Sequence, residues 1–287
     1  MRPPMTATVS LRDPDALWRA AHQLLASRAD AAELFARALA LLEPKPAHDG
    51  HCLRLGLCLA LAQFSTNRIA ACLASQNIVA FASSGVLLGL VRDGRLLPHD
   101  KDLDIVVPMA FFPAALSALQ RLGWRPAWTA VNAVNFRCLI HSGATPGSGM
   151  TLDLFGYAFD PERQRILGGW WPSERAPEQG RLLQFSPFQL ALVDHPHGRH
   201  WDLPRPETLL AELYGPDWRT PDSEFDTTLE TPALVAYNDY TRAWGRLKLL
   251  EAWVQGRPAR FARFLHVLGR LDPADPVLAL FRSSVPC

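Results

Sequence analysis

Apolar positions recur at helical spacing from Asp13 to Leu42, with Leu17, Ala20, Ala21, Leu24 and Leu25 on one stripe. A break at Pro46–Gly50 ends that run, and a second helical stretch follows from Leu53 to Ser75, with Leu55, Leu59, Leu61 and Ile69 as core positions. No second copy appears at a fixed period, so the pattern is not that of a repeat array. Asn77 to Ala82 is a short apolar run that stops at Ser83, Ser84 and Gly85, the pattern of a strand entering a tight turn and then a helix. Leu87, Leu88 and Val91 share one face of the helix expected over Gly85 to Asp93. Asp102 to Val107 alternates acid and aliphatic, as a strand does. Val131–Ile140 and Met150–Ala158 are two further strand-like runs, and the Gly/Ser/Pro-rich link between them predicts a hairpin. Beyond Pro161 the periodicity is irregular until helical patterning returns at Glu207–Tyr214, Leu234–Val254 and Arg257–Leu271. The expected organisation is α+β: a helical segment over 1–75, a mixed-sheet catalytic core over 76–225 and a helical segment over 226–287.

Composition narrows the function classes. With 287 residues, 48% hydrophobic and 20% charged, the chain has the balance of a globular protein with a sizeable core. A formal net charge of +1 provides no global basic field, which argues against nucleic acid or an anionic membrane surface as partner. The five cysteines, Cys52, Cys58, Cys72, Cys138 and Cys287, fit no metal-ligand spacing and read as free thiols of a reducing compartment. The first residues lack the apolar core of a signal peptide, and the most apolar stretch, Leu53–Ala62, is too short to span a bilayer. A cytoplasmic protein with no transmembrane segment is expected, with a membrane-bound acceptor left open. The basic residues Arg242, Arg246, Lys248, Arg257, Arg260, Arg263 and Arg270 read as solvated faces of the C-terminal helices.

The chemistry-bearing pattern lies in the middle. In the strand starting at Asp102, Asp102 and Asp104 point to one side while Leu103 and Ile105 enter the core. Two adjacent carboxylates repel, and a cation between them removes the repulsion; hard oxygen ligands suit Mg²⁺ or Mn²⁺. Asp153 stands alone among aliphatics in a later strand, costly to bury unless paired or metal-bound, and on a neighbouring strand it supplies a third carboxylate. Upstream, Ser84 and Gly85 sit at a strand-to-helix turn, where backbone N–H groups and the helix dipole favour a phosphate.

The stretch from Ser84 to Asp104 resembles the signature of the LicD/fukutin family, S-G-T-L-L-G-x-V-R…G-F-I-P-W-D-D-D-I-D, in register and without a gap. Leu152–Phe155 is similar to the family's I-D-V-F strand. Leu203-Pro204, Leu209 and Tyr214–Pro221 are similar to its closing V-P…L…Y-G-x-D-W-x-x-P segment. The resemblance implies a polymerase-β-like nucleotidyltransferase fold and a CDP-activated donor. Its phospho-alcohol, phosphocholine or an alditol phosphate, passes to a glycan or glycolipid hydroxyl with release of CMP. It gives Asp102, Asp104 and Asp153 the catalytic and metal-ligand roles and Ser84 and Gly85 the phosphate turn. Three positions depart from the family: Val86 in place of Thr loses a hydroxyl, Lys101 replaces the middle acid, and His99 replaces the Trp before it. Arg92, two turns into the helix, and Lys101 are the side chains expected to reach donor phosphate.

Other features weigh less. Asp100 reads as a loop or supporting residue, and Tyr214 and Trp218 as core closure with a role in shaping the pocket open. His195, His197 and His200 lack the regular spacing and the acid or thiol that a tetrahedral site needs. Trp170 and Trp171 fit packing better than stacking on a base or a choline-like head group. Two other functions remain alternatives: nucleotidyl transfer from NTP to a small molecule or protein, told apart by pyrophosphate release, and a catalytically silent binding module.

Overall fold

A computed structural model describes residues 70, 73–97, 100, 102–127, 133–141, 151–194 and 199–279. The helical segment expected over 1–75 lies almost wholly outside them. So do Cys52, Cys58, Cys72, Cys287, His99, Lys101, His195 and His197. The described residues fall into two compact units, one ending at Ala236 and the other starting at Tyr237.

In the first unit, seven of the described strands form one sheet. They are β1 (Phe81–Ala82), β2 (Asp102–Pro108), β3 (Trp124–Pro126), β4 (Phe136–His141), β5 (Thr151–Asp160), β6 (Arg165–Trp170) and β7 (Arg181–Phe185). The order β1-β2-β5-β4-β3 places β5 between β2, which it meets in parallel, and β4, which it meets antiparallel. The expected hairpin is therefore the β4–β5 pair. The far end of β5 leaves these neighbours and pairs with β6, and β6 pairs with β7. Gly156 marks the change: an added Cβ there would lie 2.7 Å from the sulfur of Met109. Asn135, fully buried, donates to the carbonyls of Gly156 and Gly169 and accepts from the Trp171 N–H, tying β4, β5 and β6 together at that bend. A shorter hairpin, β8 (Ala191–Val193) with β9 (His200–Asp202), stands apart.

Strand alternation sends Leu103, Ile105 and Val107 of β2, Leu152 and Leu154 of β5, and Leu139 of β4 to one face. There they form the core with Val86 of α1 (Ser84–Asp93) and with Phe112, Ala115, Ala118 and Leu119 of α2 (Phe112–Arg121). α1 follows β1 directly and ends on Gly94, whose φ of 67° is the left-handed form a glycine accommodates. Gly89 of α1 is packed so closely on the next loop that a Cβ would lie 2.6 Å from the Arg95 carbonyl oxygen. Val86 is a core residue with no exposure, so its side chain faces away from the turn. The missing hydroxyl at this position is thus a change in the core. α3 (Pro206–Tyr214) and the short α4 (Thr227–Glu230) complete the unit.

The second unit is a helical hairpin. α5 (Asp239–Val254) begins with a reciprocal capping box between Asn238 and Thr241, which is why the helix starts at Asp239 although the apolar pattern begins at Leu234. α6 (Pro258–Leu271) starts on a proline and packs Phe261 on Trp253 at 5.1 Å. The basic residues of α5 are paired rather than solvated. Arg242 meets Asp239 and Asp272, Lys248 meets Glu251, and Arg246 meets the fully buried Asp275 through two bonds of 3.0 and 2.8 Å.

Candidate active site

The sheet face opposite the core carries the acids. Asp102 and Asp104 are two residues apart on β2, and the parallel register places Asp104 directly beside Asp153 of β5, with Thr151 beside Asp102. The three carboxylates expected from the sequence therefore share one face, as neighbouring-strand register requires. Asp104 is buried, 8% exposed, whereas Asp102 and Asp153 are half-buried. Burial holds the Asp104 carboxyl well above the usual carboxylate range, and the charges of Asp102, Asp153 and Asp100 push it further up. One contact works the other way: the Gly85 N–H donates to the Asp104 carboxylate.

Asp100 joins this cluster. A Cβ added to Gly85 would lie 2.4 Å from its Oδ2, so the glycine at the turn is what lets the loop carboxylate close on the start of α1. The turn itself is tight. Ser83 is the N-cap, its N–H donates to the Asp104 carbonyl oxygen at 3.1 Å, and Ser84 takes a left-handed φ of 46°. Such a conformation costs a non-glycine residue roughly 1–2 kcal/mol, and it is held where the surrounding structure fixes it.

Three more side chains reach the cluster. The thiol of Cys138, cross-strand partner of Asp153, bonds to the Asp153 carboxylate and to Thr151, and burial followed by the charge of Asp153 pushes it up to about 12. At that value it is an inert thiol, not a nucleophile. Tyr157, two pairs beyond Asp153 on the same face, is pushed up to about 12, chiefly by burial, and has Ser83, Arg181 and Asp104 around its hydroxyl. Burial and then the charges of Asp104, Asp100 and Asp102 hold Tyr214, at the end of α3, well above the ordinary phenol range. Strand alternation from Asp153 predicts the orientation of Tyr157. Nothing local in the sequence marks the approach of Tyr214 or the partner of Cys138.

The remaining expected positions are distributed as follows. Ser84 and Gly85 form the turn beside the acids. Arg92 pairs with Asp93 at 2.9 Å and lies near Tyr214. Lys101 is outside the described residues. Trp171 is buried, and Trp170 packs on Phe136 at 5.8 Å and under the Arg181 guanidinium at 4.6 Å, in keeping with a packing role for both.

Among the described residues no group of three or more acid, thiol or imidazole side chains is placed to hold a metal ion by itself. The donor chemistry nevertheless fits Mg²⁺, which takes one or two carboxylates and completes its octahedron with water and substrate phosphate. The charges crowded around Asp104 are the kind a divalent cation relieves.

Residues 77–139 match the family model described as LicD/FKTN/FKRP, nucleotidyltransferase domain. This stretch is similar to the LicD family. It runs from the approach to β1 through α1, β2 and α2 into β4, and so contains the turn, Asp100, Asp102, Asp104 and Cys138. The mixed sheet flanked by helices accords with the nucleotidyltransferase domain that this match describes. Among solved structures it is similar to a lincosamide antibiotic adenylyltransferase, LnuA, with lincomycin bound. Identity is 11%, over 53% of this chain and 82% of that one, with a TM-score of 0.34. It is also similar to the antibiotic-resistance factor ANT(2'')-Ia, at 15% identity over 78% of this chain and 92% of that one, with a TM-score of 0.32. No curated protein matches the chain. No helix among the described residues is long and apolar enough to cross a membrane.

Proposed function

We propose that the chain transfers a phospho-alcohol, of the phosphocholine or alditol phosphate type, from a CDP-activated donor to a hydroxyl of a glycan or glycolipid, releasing CMP. The observation that carries this is the side-by-side placement of Asp104 and Asp153 on parallel strands, with Asp102 on the same face and the start of α1 against them, beside a segment similar to the LicD family. Phosphoryl transfer needs positioning and charge neutralisation more than covalent help from the protein.

Asp102 and Asp104 are the residues that would hold Mg²⁺ or Mn²⁺, and the ion supplies neutralisation of the phosphoryl oxygens and polarisation of the leaving group. The amides at the start of α1 and the Ser84 hydroxyl bind the donor's diphosphate, aided by the helix dipole. Arg92 and Lys101 are placed in sequence to assist once the donor is bound. Asp153 is the base that takes the acceptor's proton, or a third ligand. In the first role the acceptor oxygen attacks the phosphorus of the phospho-alcohol, the bond to the CMP oxygen breaks, and the proton passes to Asp153. The place of action is the cytoplasm, with the acceptor free or membrane-bound.

The test is a ³¹P NMR or mass-spectrometric product assay on the purified chain with Mg²⁺. CDP-choline, CDP-glycerol and CDP-ribitol are offered beside the four NTPs, with Asp104→Asn as control. CMP that appears only with Asp104 intact supports the proposal and names the donor. Pyrophosphate release replaces it with nucleotidyl transfer. No turnover and no metal-dependent nucleotide binding leaves a binding module.

A further inference from the structure

Away from the acids, the first unit holds an open cavity of about 280 Å³, with Arg165, Gln184 and Glu212 on one side and the Pro232–Val235 segment on the other. That volume is close to the lower limit of small-ligand sites, about 300 Å³, and suits one ring rather than a chain. Its position follows from the strands. Gln184 is the neighbour of Phe185 on β7, and alternation turns it to the side of the sheet opposite Phe185 and the Tyr157 ring stacked on it. Arg165 pairs with Asp160, seven residues beyond Asp153 along β5, or about 20 Å at the rise of an extended strand. The Pro232–Val235 segment closes the far side through its backbone. The Gln184 N–H donates to the Ala233 carbonyl at 2.9 Å, and the Val235 N–H donates to the Leu182 carbonyl at 3.0 Å. The Val235 side chain is left 43% exposed.

The polar groups of the wall are held but not used up. The Ser186 hydroxyl accepts from Arg165 Nη1 at 3.0 Å and donates to Glu212 Oε1 at 2.6 Å. The Ser186 N–H lies 3.1 Å from both Glu212 oxygens. One serine thus fixes a guanidinium and a carboxylate near each other, and their charges balance. Arg165 commits one N–H of its five to that bond. The side-chain amide of Gln184 makes no hydrogen bond among the described residues. The cavity therefore presents donors from Arg165, acceptors from Glu212 and both from Gln184, next to the apolar surface of Pro232, Leu234 and Val235. A small anion or cation would meet a like charge here as well as a partner. A neutral ring with hydroxyls, each both donor and acceptor, satisfies all three polar side chains, and its C–H face covers the apolar side.

We propose that this cavity binds a single sugar ring, the part of a glycan acceptor remote from the reacting hydroxyl. The purpose rests on the glycan-acceptor reading; the sugar binding itself does not. Held about 20 Å from the acids, the ring tethers an extended glycan and raises the effective concentration of its reacting end without touching the chemistry.

The test is saturation-transfer NMR on the full-length chain in EDTA, without donor. The probes are glucose, galactose, N-acetylglucosamine and N-acetylgalactosamine, with glycerol as the ringless control. At least one sugar should bind in the millimolar range, and glycerol should not. Gln184→Leu keeps the volume and loses both hydrogen-bonding functions, and should weaken binding about fivefold or more. Val235→Arg, at a position held by backbone bonds, places a long side chain over the opening and should do the same. Thermal unfolding checks that each variant is folded. Asp104→Asn should bind as wild type does. Binding unchanged in either folded cavity variant, or lost in Asp104→Asn, overturns the proposal, because the sugar then sits elsewhere. A wild-type chain that binds none of the sugars overturns it too. The product assay fails separately: a chain that binds sugar through Gln184 but releases neither CMP nor pyrophosphate loses the transferase reading and keeps the cavity.

Discussion

Asp104→Asn should make the metal-free protein more stable while removing its response to Mg²⁺. Asp104 is buried and shares its sheet face with Asp102 and Asp153, and Asp100 closes on the same turn. Carboxylates on adjacent strands about 5 Å apart repel by roughly 3 kcal/mol at an effective dielectric constant near 20. The Gly85 N–H bond offsets part of that, and an asparagine oxygen can still accept it. A net gain of about 1–3 kcal/mol is expected, and at about 2–4 °C per kcal/mol for a protein of this size the melting temperature should rise by several degrees. The pH dependence fixes the sign. Asp104 is raised in the folded state, so the native protein binds its proton more tightly than the unfolded chain does. Its stability contribution is complete below the ordinary aspartate range and is lost as pH rises through the raised folded value. The advantage of the variant should therefore be largest at neutral and alkaline pH and vanish in acid. Thermal unfolding of both proteins in EDTA and in Mg²⁺ across that range is the assay. A variant that melts below wild type in EDTA at pH 8, or keeps the full Mg²⁺ shift, refutes the reasoning.

Gly85→Ala drives a Cβ into the Asp100 carboxylate, which must swing out; donor affinity in calorimetry should fall about tenfold with little change in melting temperature. Asn135→Ala leaves the carbonyls of Gly156 and Gly169 and the Trp171 N–H without their partner, and a loss of about 2–4 kcal/mol in chemical denaturation is expected. Asp275→Ala strands the Arg246 guanidinium in the helical hairpin, at a cost of about 3–5 kcal/mol, while the product assay on the folded protein stays as in wild type.

The elements around the acids were legible because local pattern and long-range structure agree there. Alternation in Asp102–Val107 and in Thr151–Phe155 put aliphatics on the core side and acids opposite, and both became strands of the central sheet. Ser84 and Gly85 announced a turn into α1 in the same way. What alternation cannot supply is register between strands distant in the chain. That Asp104 lies beside Asp153, and Cys138 on its other side, follows from the crossover through α2, β3 and β4, whose length sets the pairing. Asp100 reads as a loop or supporting residue because a coil position carries no periodicity to decide between the two, and the missing Cβ of Gly85 shows why it can close in. The arginines of α5 looked solvated because Asp272 and Asp275, which pair with them, come about thirty residues later on another element. β6 and β7 were missed for a related reason: Gly168, Gly169 and Pro172 weaken the strand signal, and pairing with the far end of β5 makes up for it.

One sheet face changes character along β5. Asp153 is followed on the same side by Phe155 and Tyr157. Phe155 continues sideways into Phe136 at 4.9 Å and Trp170 at 6.3 Å, so the acids end against an aromatic wall. Asp104 stands at that boundary, whereas Asp102, one pair further from the wall, is half-buried and beside Thr151. Desolvation by burial leads the causes that raise Asp104, ahead of any single neighbouring charge. A charge next to a dry wall is poorly hydrated before any ligand arrives, so a cation bound there displaces little water and gains more from the pair. It follows that neutralising Asp102 should stabilise the metal-free protein less than neutralising Asp104. Equal gains from Asp102→Asn and Asp104→Asn in EDTA would mean that mutual repulsion, and not the aromatic wall, governs the site.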